Sequence, residues 1–240
     1  MRPSAFLLAA LLATPAVLRG QNAAPDAGAL RLGADTLAVF VIQGADTTAT
    51  GLVVDQLAVR TDGGRSLLVR TYLTQDRVLG ARLDTLVDEF PHLAPVRHRS
   101  RTDQGFEHLD FANGRVQGTL YLANGDSVPV DVALPSPVIN ASTFDIALRS
   151  TTLSEGWSAE FSAFLPSSRT VVTLHARVAG VEEIGGSSCW RVEAEFTGLP
   201  VTFWIDQSTR RICQQVMVIR PDFRILFAPQ RATRGSTRAT

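Results

Sequence analysis

Residues 106–134 read FEHLDFANGRVQGTLYLANGDSVPVDVAL, and this stretch decides the fold class. It contains three short runs rich in apolar residues, and Asn-Gly pairs at 113–114 and 124–125 separate them. Asn-Gly is favoured in type I′ turns, because both central residues of that turn take positive φ and its twist suits a tight hairpin. The stretch therefore predicts a three-stranded antiparallel meander over residues 106–111, 116–122 and 128–134.

Alternation of apolar and polar residues extends over much of the remaining chain. Residues 52–55 and 67–73 flank the turn sequence Thr61-Asp62-Gly63-Gly64 and predict a hairpin. The C-terminal half repeats the pattern, with predicted strands at 170–178, 189–197, 201–206 and 211–220. Phe223, Ile225 and Phe227 then predict a last strand at the edge of the sheet.

One segment departs from this alternation. Asn140 is a suitable helix N-cap, and Phe144, Ala147 and Leu148 recur at helical spacing before Gly156. A lone amphipathic helix in an antiparallel protein buries its apolar stripe against the sheet. The predicted fold is therefore mainly β: a strongly curved antiparallel sheet, or half-barrel, wrapped around a single amphipathic helix.

The first twenty residues have the order of a secretory signal peptide. Arg2 gives a positively charged start, residues 5–18 are almost all apolar, and small residues surround Gly20. The apolar run is short for a transmembrane helix. We expect cleavage after Gly20, with Ala24 as the second choice and a retained N-terminal anchor as the alternative. No cysteine lies near this point, which excludes a lipoprotein anchor.

The expected organisation after the signal peptide, residues 1–20, is simple. A flexible N-terminal segment covers residues 21–33, a single β-rich domain covers 34–228, and a disordered basic tail covers 229–240. Because no later stretch is long and apolar, we expect no transmembrane segment after signal cleavage. The expected location is periplasmic or otherwise exported.

Charge composition excludes several classes of function. The 23 basic and 23 acidic residues balance, which argues against a nucleic acid partner because phosphate contacts require a basic surface. Every basic residue is Arg and none is Lys. The chain therefore has no lysine for Schiff-base chemistry or for a phosphate-binding loop.

Cys189 and Cys213 are the two cysteines of the chain. Export would place them where a disulfide can form. In the predicted meander they lie on strands two positions apart, about 9 to 10 Å from each other, whereas a disulfide needs Cα atoms within about 7 Å. We therefore expect two buried free thiols and keep a Cys189–Cys213 disulfide as the alternative.

Candidate metal and catalytic residues cluster between Leu83 and Ser100, a stretch without a clear strand pattern. His92 and His98 occur there with Asp84, Asp88 and Glu89. Their spacing does not fit a zinc site, whose ligands follow the register of one element, so we expect solvated loop histidines. No Gly-x-Ser-x-Gly motif occurs either. We expect no catalytic residues, no metal and no cofactor.

The tryptophans are the most suggestive large residues. In the predicted strand 201–206, Trp204 lies on the face opposite Phe203 and Ile205, which favours a groove or an interface. Ligand-binding grooves are largely apolar. The predicted ligand-binding residues are Trp204, Phe144, Leu148 and Trp157.

Two C-terminal runs resemble a known family. They are Gly185-Gly186-Ser187-Ser188-Cys189-Trp190-Arg191-Val192-Glu193 and Val201-Thr202-Phe203-Trp204-Ile205-Asp206, followed by Arg210-Arg211. They look like the C-terminal signature of DUF3108, a bacterial family of exported proteins of unknown function, although Ser187-Ser188 departs from its usual turn. The resemblance implies a periplasmic half-barrel similar to the lipoprotein-carrier fold, whose concave face can shelter an acyl chain.

These observations lead to one functional expectation and two alternatives. We expect an exported, non-enzymatic protein that binds an apolar or amphiphilic, lipid-like ligand in the concavity of the half-barrel. The alternative is a structural or assembly factor of the cell envelope that acts through a protein partner. A hydrolase of unknown type is the third reading.

Overall fold

A computed structural model describes residues 25–230 of the chain, and almost all of its regular structure is strand. The strands are β1 (Gly33–Gln43), β2 (Asp46–Asp62), β3 (Arg65–Asp76), β4 (Gly80–Glu89), β5 (Pro95–Thr102), β6 (Gly105–Ala112), β7 (Arg115–Leu122), β8 (Ser127–Ala133), β9 (Ile139–Asn140), β10 (Ser158–Leu165), β11 (Thr170–Ile184), β12 (Ser187–Phe196), β13 (Leu199–Asp206), β14 (Ile212–Arg220) and β15 (Phe223–Pro229). The helix α1 spans Phe144–Arg149, and short 3-10 helices span Ala27–Ala29 and Ala141–Thr143.

All fifteen strands form one sheet in the order β8-β7-β6-β5-β4-β3-β2-β1-β15-β14-β13-β12-β11-β10-β9. Consecutive strands are therefore neighbours in the sheet, except that β8 and β9 lie at its two ends. The two halves of the sheet are joined where β15 returns to pair with β1, with Leu37 opposite Pro229. The prediction of an edge strand at Phe223, Ile225 and Phe227 is wrong. β15 lies in the middle of the sheet and buries Ile225 and Phe227, because β1 covers its second side.

The sheet curves until its two ends pack against each other. Phe111 of β6 and Phe164 of β10 meet edge to face with ring centroids 5.7 Å apart, although their strands are far apart in the sheet order. Leu109, Val116 and Val130 complete this apolar contact. The hydrogen-bonded ladder nevertheless begins at β8 and ends at β9 over the described residues, so the barrel is not closed. The prediction of a mainly β, curved antiparallel sheet is confirmed.

The predicted meander over residues 106–134 is present as β6, β7 and β8. Asn113 and Gly114 have φ of 52° and 68°, as a type I′ turn requires.

The helix within the curved sheet is shorter than predicted. Asn140 caps its start as expected, since Asn140 Oδ1 accepts the Ser142 N–H at 2.9 Å. The helix ends at Arg149 instead of reaching Gly156. The hydroxyls of Ser150 and Thr151 donate to the carbonyls of Ile146 and Ala147, and these bonds satisfy acceptors that another turn of helix would otherwise use. Phe144, Ile146 and Leu148 are all buried.

Residues 83–100, which show no clear strand pattern in the sequence, form most of β4 and β5. The pattern is hidden because inward-facing positions carry Asp84, Asp88, His98 and Ser100, all buried, instead of apolar residues. The prediction of solvated loop histidines is correspondingly wrong for His98, which has no exposed surface. His92 is exposed in the turn between β4 and β5.

The N-terminal residues 25–32, predicted as part of a flexible segment, pack against the domain. Ala27 is buried, and its N–H donates to the Pro91 carbonyl at 2.8 Å. The predicted signal peptide and residues 231–240 of the predicted tail lie outside the described residues. Between residues 25 and 230, no helix has the length and apolar character needed to cross a membrane.

Candidate functional site

Buried charged side chains on the inner face of β2 and β3 mark the candidate site. Side chains on a strand alternate between faces, so Arg70 lies on the same face of β3 as the buried Leu68. On β2, Leu57 is directly opposite Arg70 and Asp55 is its diagonal neighbour, two residues along the same face. Arg70 is only 4% exposed. Burial of a guanidinium costs free energy unless it is paired and hydrogen-bonded. The partners of Arg70 are therefore essential to this part of the fold.

Arg70 is held by carboxylates from two different elements. Its Nε and Nη2 donate to the two oxygens of Asp55 at 2.8 and 2.9 Å. Its Nη1 and Nη2 donate to the two oxygens of Asp145 in α1 at 2.8 and 2.9 Å. Nη1 also donates to the Ser142 carbonyl at 3.0 Å. Arg70 therefore ties the sheet to the helix through two forked ion pairs.

A second buried arginine lies behind this pair. Arg149 Nη1 is 3.8 Å from a carboxylate oxygen of both Asp55 and Asp145, and its Nε donates to the Arg210 carbonyl at 2.7 Å. Burial lowers the pKa of Arg149, whereas the two carboxylates oppose that effect. We call Asp55, Arg70, Asp145 and Arg149 the ion cluster. Two positive and two negative charges make it neutral.

Three members of the ion cluster, Asp55, Arg70 and Asp145, form one wall of a cavity of about 340 Å³. The remaining walls are mostly apolar and come from both halves of the sheet and from the helix: Leu37, Leu86, Phe144, Phe196, Val201, Phe203, Ile212, Met217, Ile225 and Phe227. Leu79, in the turn between β3 and β4, lines the same cavity and is 43% exposed. The cavity is thus apolar with one charged wall, and Leu79 lies where it meets solvent.

Tyr72 and Thr74 continue the charged wall along β3. The Tyr72 ring packs 4.5 Å from the guanidinium carbon of Arg70, a cation–π distance. Burial raises the pKa of the Tyr72 phenol, although the charge of Arg70 opposes that shift. The hydroxyl therefore stays protonated at neutral pH.

Asp84 also lines the cavity, and it belongs to a second set of polar side chains that includes His98 and Asn140. Asn140 Oδ1 accepts the Ser142 N–H, so its Nδ2 is the group that lies 3.2 Å from His98 Nδ1 and donates to it. The His98 proton is then on Nε2, which lies 3.7 Å from Asp84 Oδ1. Arg82 Nε donates to the other Asp84 oxygen at 2.7 Å.

Asp84 is ionised in spite of its burial. Burial raises the pKa of the Asp84 carboxyl, but the nearby His98 ring, the charge and hydrogen bond of Arg82, and Ser100 outweigh this effect and lower it below the usual value. His98 is thereby fixed in one tautomer and one orientation between two elements. The arrangement holds β5 to the start of the helix and leaves His98 enclosed rather than open to the cavity.

Comparison with known proteins identifies the family of this chain. The family described as a protein of unknown function, DUF3108, matches residues 46–220. The chain belongs to the DUF3108 family. The match includes β2, β3, the helix and most strands that line the cavity, but it leaves out β1 and β15. No curated protein matches the chain in sequence.

A solved structure similar to this DUF3108 protein is the crystal structure of a beta-barrel-like protein of domain of unknown function DUF1849 from Brucella abortus. The two chains are 11% identical with a TM-score of 0.44, and the similarity covers 84% of this chain and 97% of the other.

The four predicted ligand-binding residues of the DUF3108 chain do not lie together. Phe144 lines the cavity, where its ring meets Phe161 and Phe203 edge to face. Leu148 is fully buried in the core beneath the helix. Trp157 is half-buried before β10 and packs on that core.

The expected position of Trp204 in the groove is wrong. Phe203 and Ile205 face the core, so Trp204 points to the opposite, convex face of the sheet. Its Nε1 donates to Glu182 Oε2 at 2.8 Å. The sequence separates the two faces of β13 correctly but does not indicate which of them is concave.

Cys189 and Cys213 form a disulfide with a Cα–Cα distance of 6.8 Å, so the expectation of free thiols is wrong. The register between β13 and β14 shifts after Trp204, where Gln214 pairs with Trp204 and Ile212 with Ile205, so Cys213 is the extra residue of a bulge. A bulge bends its strand and increases the local twist. This brings Cys213 closer to β12 than a regular sheet allows.

Asp206 lies beside the two cysteines, and all three ligand-type atoms fall within 4.8 Å of one another. Because both sulfurs are bonded to each other, they are not thiolates and this group is not a metal site. His92 and His98 do not converge either, since one is exposed in a turn and the other is enclosed.

Sequence reasoning missed four residues that define the cavity wall, Asp55, Arg70, Tyr72 and Asp145, and it considered Asp84 only as a candidate metal ligand. One signal was present: Asp55 and Arg70 occupy positions in alternating strands where the neighbours two residues away, Val53, Leu57 and Leu68, are apolar. Charged residues on an apolar face of a strand are unusual unless they are paired. That pattern predicts a buried ion pair, although it does not identify the partner on the helix.

Proposed function

We propose that this protein is an exported, non-enzymatic binding protein that holds an apolar or amphiphilic, lipid-like ligand in the cavity between the curved sheet and α1. The observation that carries the proposal is the cavity itself. Its volume of about 340 Å³ lies within the range of about 300 to 1,000 Å³ usual for small-molecule sites. Its walls are largely apolar, and a few polar groups are concentrated on one side.

One side of the cavity is apolar and the other is charged, which favours an amphiphilic ligand over a uniformly apolar one. Phe196, Phe203 and Met217 offer apolar surface on one side, whereas Arg70 and Asp84 lie on the other. A chain placed against the apolar strands would leave its polar head near β3 and β4. Burial of apolar ligand surface contributes about 25 cal/mol per Å² before the costs of binding.

A matched pair of neighbouring glutamines provides the test. Gln215 lines the cavity, while Gln214 pairs with Trp204 and faces the convex side of the sheet. Gln215→Trp should fill the cavity, and Gln214→Trp should leave it open. Native mass spectrometry of the protein with a single-chain amphiphile such as 1-monodecanoylglycerol measures uptake directly.

We expect one bound molecule in the wild type and in Gln214→Trp, and none in Gln215→Trp at the same concentration. Circular dichroism of both variants controls for folding. Absence of uptake by wild-type protein across apolar and amphiphilic probes would contradict the proposal. Equal uptake by the two variants would show that the molecule binds elsewhere.

A patch on the convex face favours the second candidate, an envelope assembly factor that binds a protein partner. Phe106 of β6 is 40% exposed and stacks on Tyr121 of β7 with ring centroids 4.3 Å apart. Leu83, on the same face of the sheet, is also exposed. Sheet-edge pairing is less well supported, because the edge strand β8 carries Pro129 and the exposed Asp131, residues that protect strand edges.

A further inference from the structure

The buried arginine in the charged wall of the cavity, Arg70, has no free N–H group for an ionic ligand. A guanidinium carries five N–H donors, and Arg70 makes five hydrogen bonds: two to Asp55, two to Asp145 and one to the Ser142 carbonyl. An anionic head could reach Arg70 only by displacing a carboxylate that is itself buried. Such displacement would leave a buried charge without its partner, which is strongly unfavourable.

The balance of charge along the wall also disfavours an anion. Three carboxylates, Asp55, Asp84 and Asp145, line the cavity with two guanidiniums, Arg70 and Arg82. Arg82 is the more accessible cation, with 42% of its side chain exposed, but its Nε is bound to Asp84 at 2.7 Å. The wall therefore has no positive charge in excess, and Arg82 lies in a part of it that solvent reaches.

Uncharged polar groups are better placed to bind a ligand. Tyr72, Thr74 and Gln215 line the cavity, and their side chains make no hydrogen bond to any residue from 25 to 230. Thr74 is only 6% exposed and lines the cavity, and its hydroxyl has no hydrogen-bond partner among residues 25–230. A buried polar group normally has a hydrogen-bond partner. A ligand bound in the cavity can supply the hydrogen-bond partner of Thr74.

From this arrangement we infer that the cavity selects single-chain amphiphiles with an uncharged, hydroxylated head over anionic ones. The inference rests on the ligand-binding function proposed above and specifies its ligand class. The head hydrogen-bonds to Tyr72 and Thr74, and the alkyl chain lies against Phe196, Phe203 and Met217. A volume of about 340 Å³ is near the lower end of the range for ligand sites, which suits one chain.

Three probes with the same ten-carbon chain length separate the head-group classes: 1-monodecanoylglycerol, decanoate and decylammonium. Isothermal titration at pH 8 and low salt, below the micellar concentration of each, gives their affinities for the wild-type protein. We expect the glycerol ester to bind at least about tenfold more tightly than decanoate, because a carboxylate loses its hydration without gaining a free cation. Decylammonium should also bind more weakly than the ester.

Threonines on opposite faces of β3 provide a matched pair of variants. Thr74→Val removes the unpartnered hydroxyl with little change in shape, and Thr71→Val makes the same change on the other face of the strand. We expect Thr74→Val to weaken 1-monodecanoylglycerol binding by about three- to tenfold, the usual effect of one lost hydrogen bond. Thr71→Val should bind it as the wild type does.

Removing a carboxylate should change the selectivity in the opposite direction. Asp145→Asn leaves Arg70 with a single carboxylate partner and should increase decanoate affinity, whereas Asp131→Asn on the exposed face of β8 should not. If Asp145→Asn does not fold, the head-group preference of the wild type still decides the question.

The outcomes distinguish this inference from the proposed function. Failure of all three probes to bind would overturn both. Binding in which decanoate or decylammonium equals or exceeds the ester would overturn the inference while supporting a ligand-binding cavity. A decanoate preference that disappears in Arg82→Gln would assign the head to Arg82 and would also overturn it.

Discussion

Arg70 of β3 and Asp145 of α1 are joined by two parallel hydrogen bonds, of 2.8 Å from Nη1 to Oδ1 and 2.9 Å from Nη2 to Oδ2. Asp55 of β2 accepts two more hydrogen bonds from the same guanidinium. A six-residue helix has little stability of its own, because the cost of nucleation is spread over few hydrogen bonds. The ion cluster and the surrounding apolar core therefore hold α1 in place, and with it the cavity wall.

Removal of Asp145 should destabilise the fold strongly. Asp145→Ala leaves Arg70, which is 4% exposed, with one carboxylate partner, and breaking a buried pair costs about 3 to 5 kcal/mol. Urea unfolding followed by tryptophan fluorescence measures the change in the free energy of unfolding. Asp131→Ala is the control, because the Arg115–Asp131 pair is about half exposed and such pairs contribute at most about 1 kcal/mol. Equal losses in the two variants would contradict a structural role for the cluster.

Leu79 should act as the entrance to the cavity. Leu79 lines the cavity and is 43% exposed, while its neighbour Val78 is 51% exposed and does not line it. Asp76 Oδ1 accepts the N–H groups of both residues, so the turn holds them in defined positions. Leu79→Asp should weaken the binding of 1-monodecanoylglycerol about fivefold, because it replaces part of the apolar surface with a charge.

Val78→Asp introduces the same charge one residue away and should leave affinity unchanged. Titration calorimetry of both variants makes the comparison. A similar loss in Val78→Asp would indicate a general effect of charge on the turn and would remove the special role assigned to Leu79.

The sequence predicts strand positions better than it predicts the site. Asn-Gly pairs and period-two alternation depend on local conformation, so β6, β7 and β8 were predictable to within about two residues. The position of β15 in the sheet was not predictable, because its pairing with β1 joins residues about 180 to 190 positions apart and nothing local specifies it.

The residues of the cavity wall could not be predicted from the sequence for a related reason. Asp84, Asp88, His98 and Ser100 occupy inward positions, so β4 and β5 lose the apolar alternation that identifies a strand. The Asp145 partner of Arg70 lies on a different element, 75 residues away. Phe144 was found because helical spacing is visible locally, whereas the direction of Trp204 depends on which face of the sheet is concave.

The Cys189–Cys213 disulfide should stabilise the protein measurably. It closes a loop with a sequence separation of 24 residues, for which the chain-entropy relation gives about 3.5 kcal/mol. The double variant Cys189→Ser with Cys213→Ser should therefore unfold at lower urea concentration than the wild type. The wild type in reducing buffer should resemble this variant, and the variant itself should not respond to reductant. A wild-type midpoint that reductant leaves unchanged would contradict the prediction.

Asp88 should make the protein less stable as pH rises. The residue is 1% exposed, and its Oδ2 has no hydrogen-bond partner among residues 25–230. Burial raises the pKa of the Asp88 carboxyl to about 8, although the charge of Arg70 opposes the shift. Between about pH 4 and pH 8 the unfolded chain has lost this proton while the folded protein keeps it, so stability decreases across that window and levels off above it.

Asp88→Asn removes this dependence and should raise the free energy of unfolding at pH 7 by about 2 kcal/mol or more, since one pKa unit corresponds to about 1.4 kcal/mol. At pH 4.5 the two proteins should be similar in stability, because Asp88 is then protonated in the folded wild type. Glu89→Gln, on the adjacent exposed side chain, is the control and should show no such difference. Urea unfolding of all three proteins from pH 4.5 to 9 isolates the contribution of Asp88 from the carboxyls whose pKa is lowered, Asp76, Asp84 and Asp206, because these are common to every variant. An Asp88→Asn protein that is less stable than the wild type at pH 7 would mean that the ionised carboxylate has a partner and that the sign of the effect is reversed.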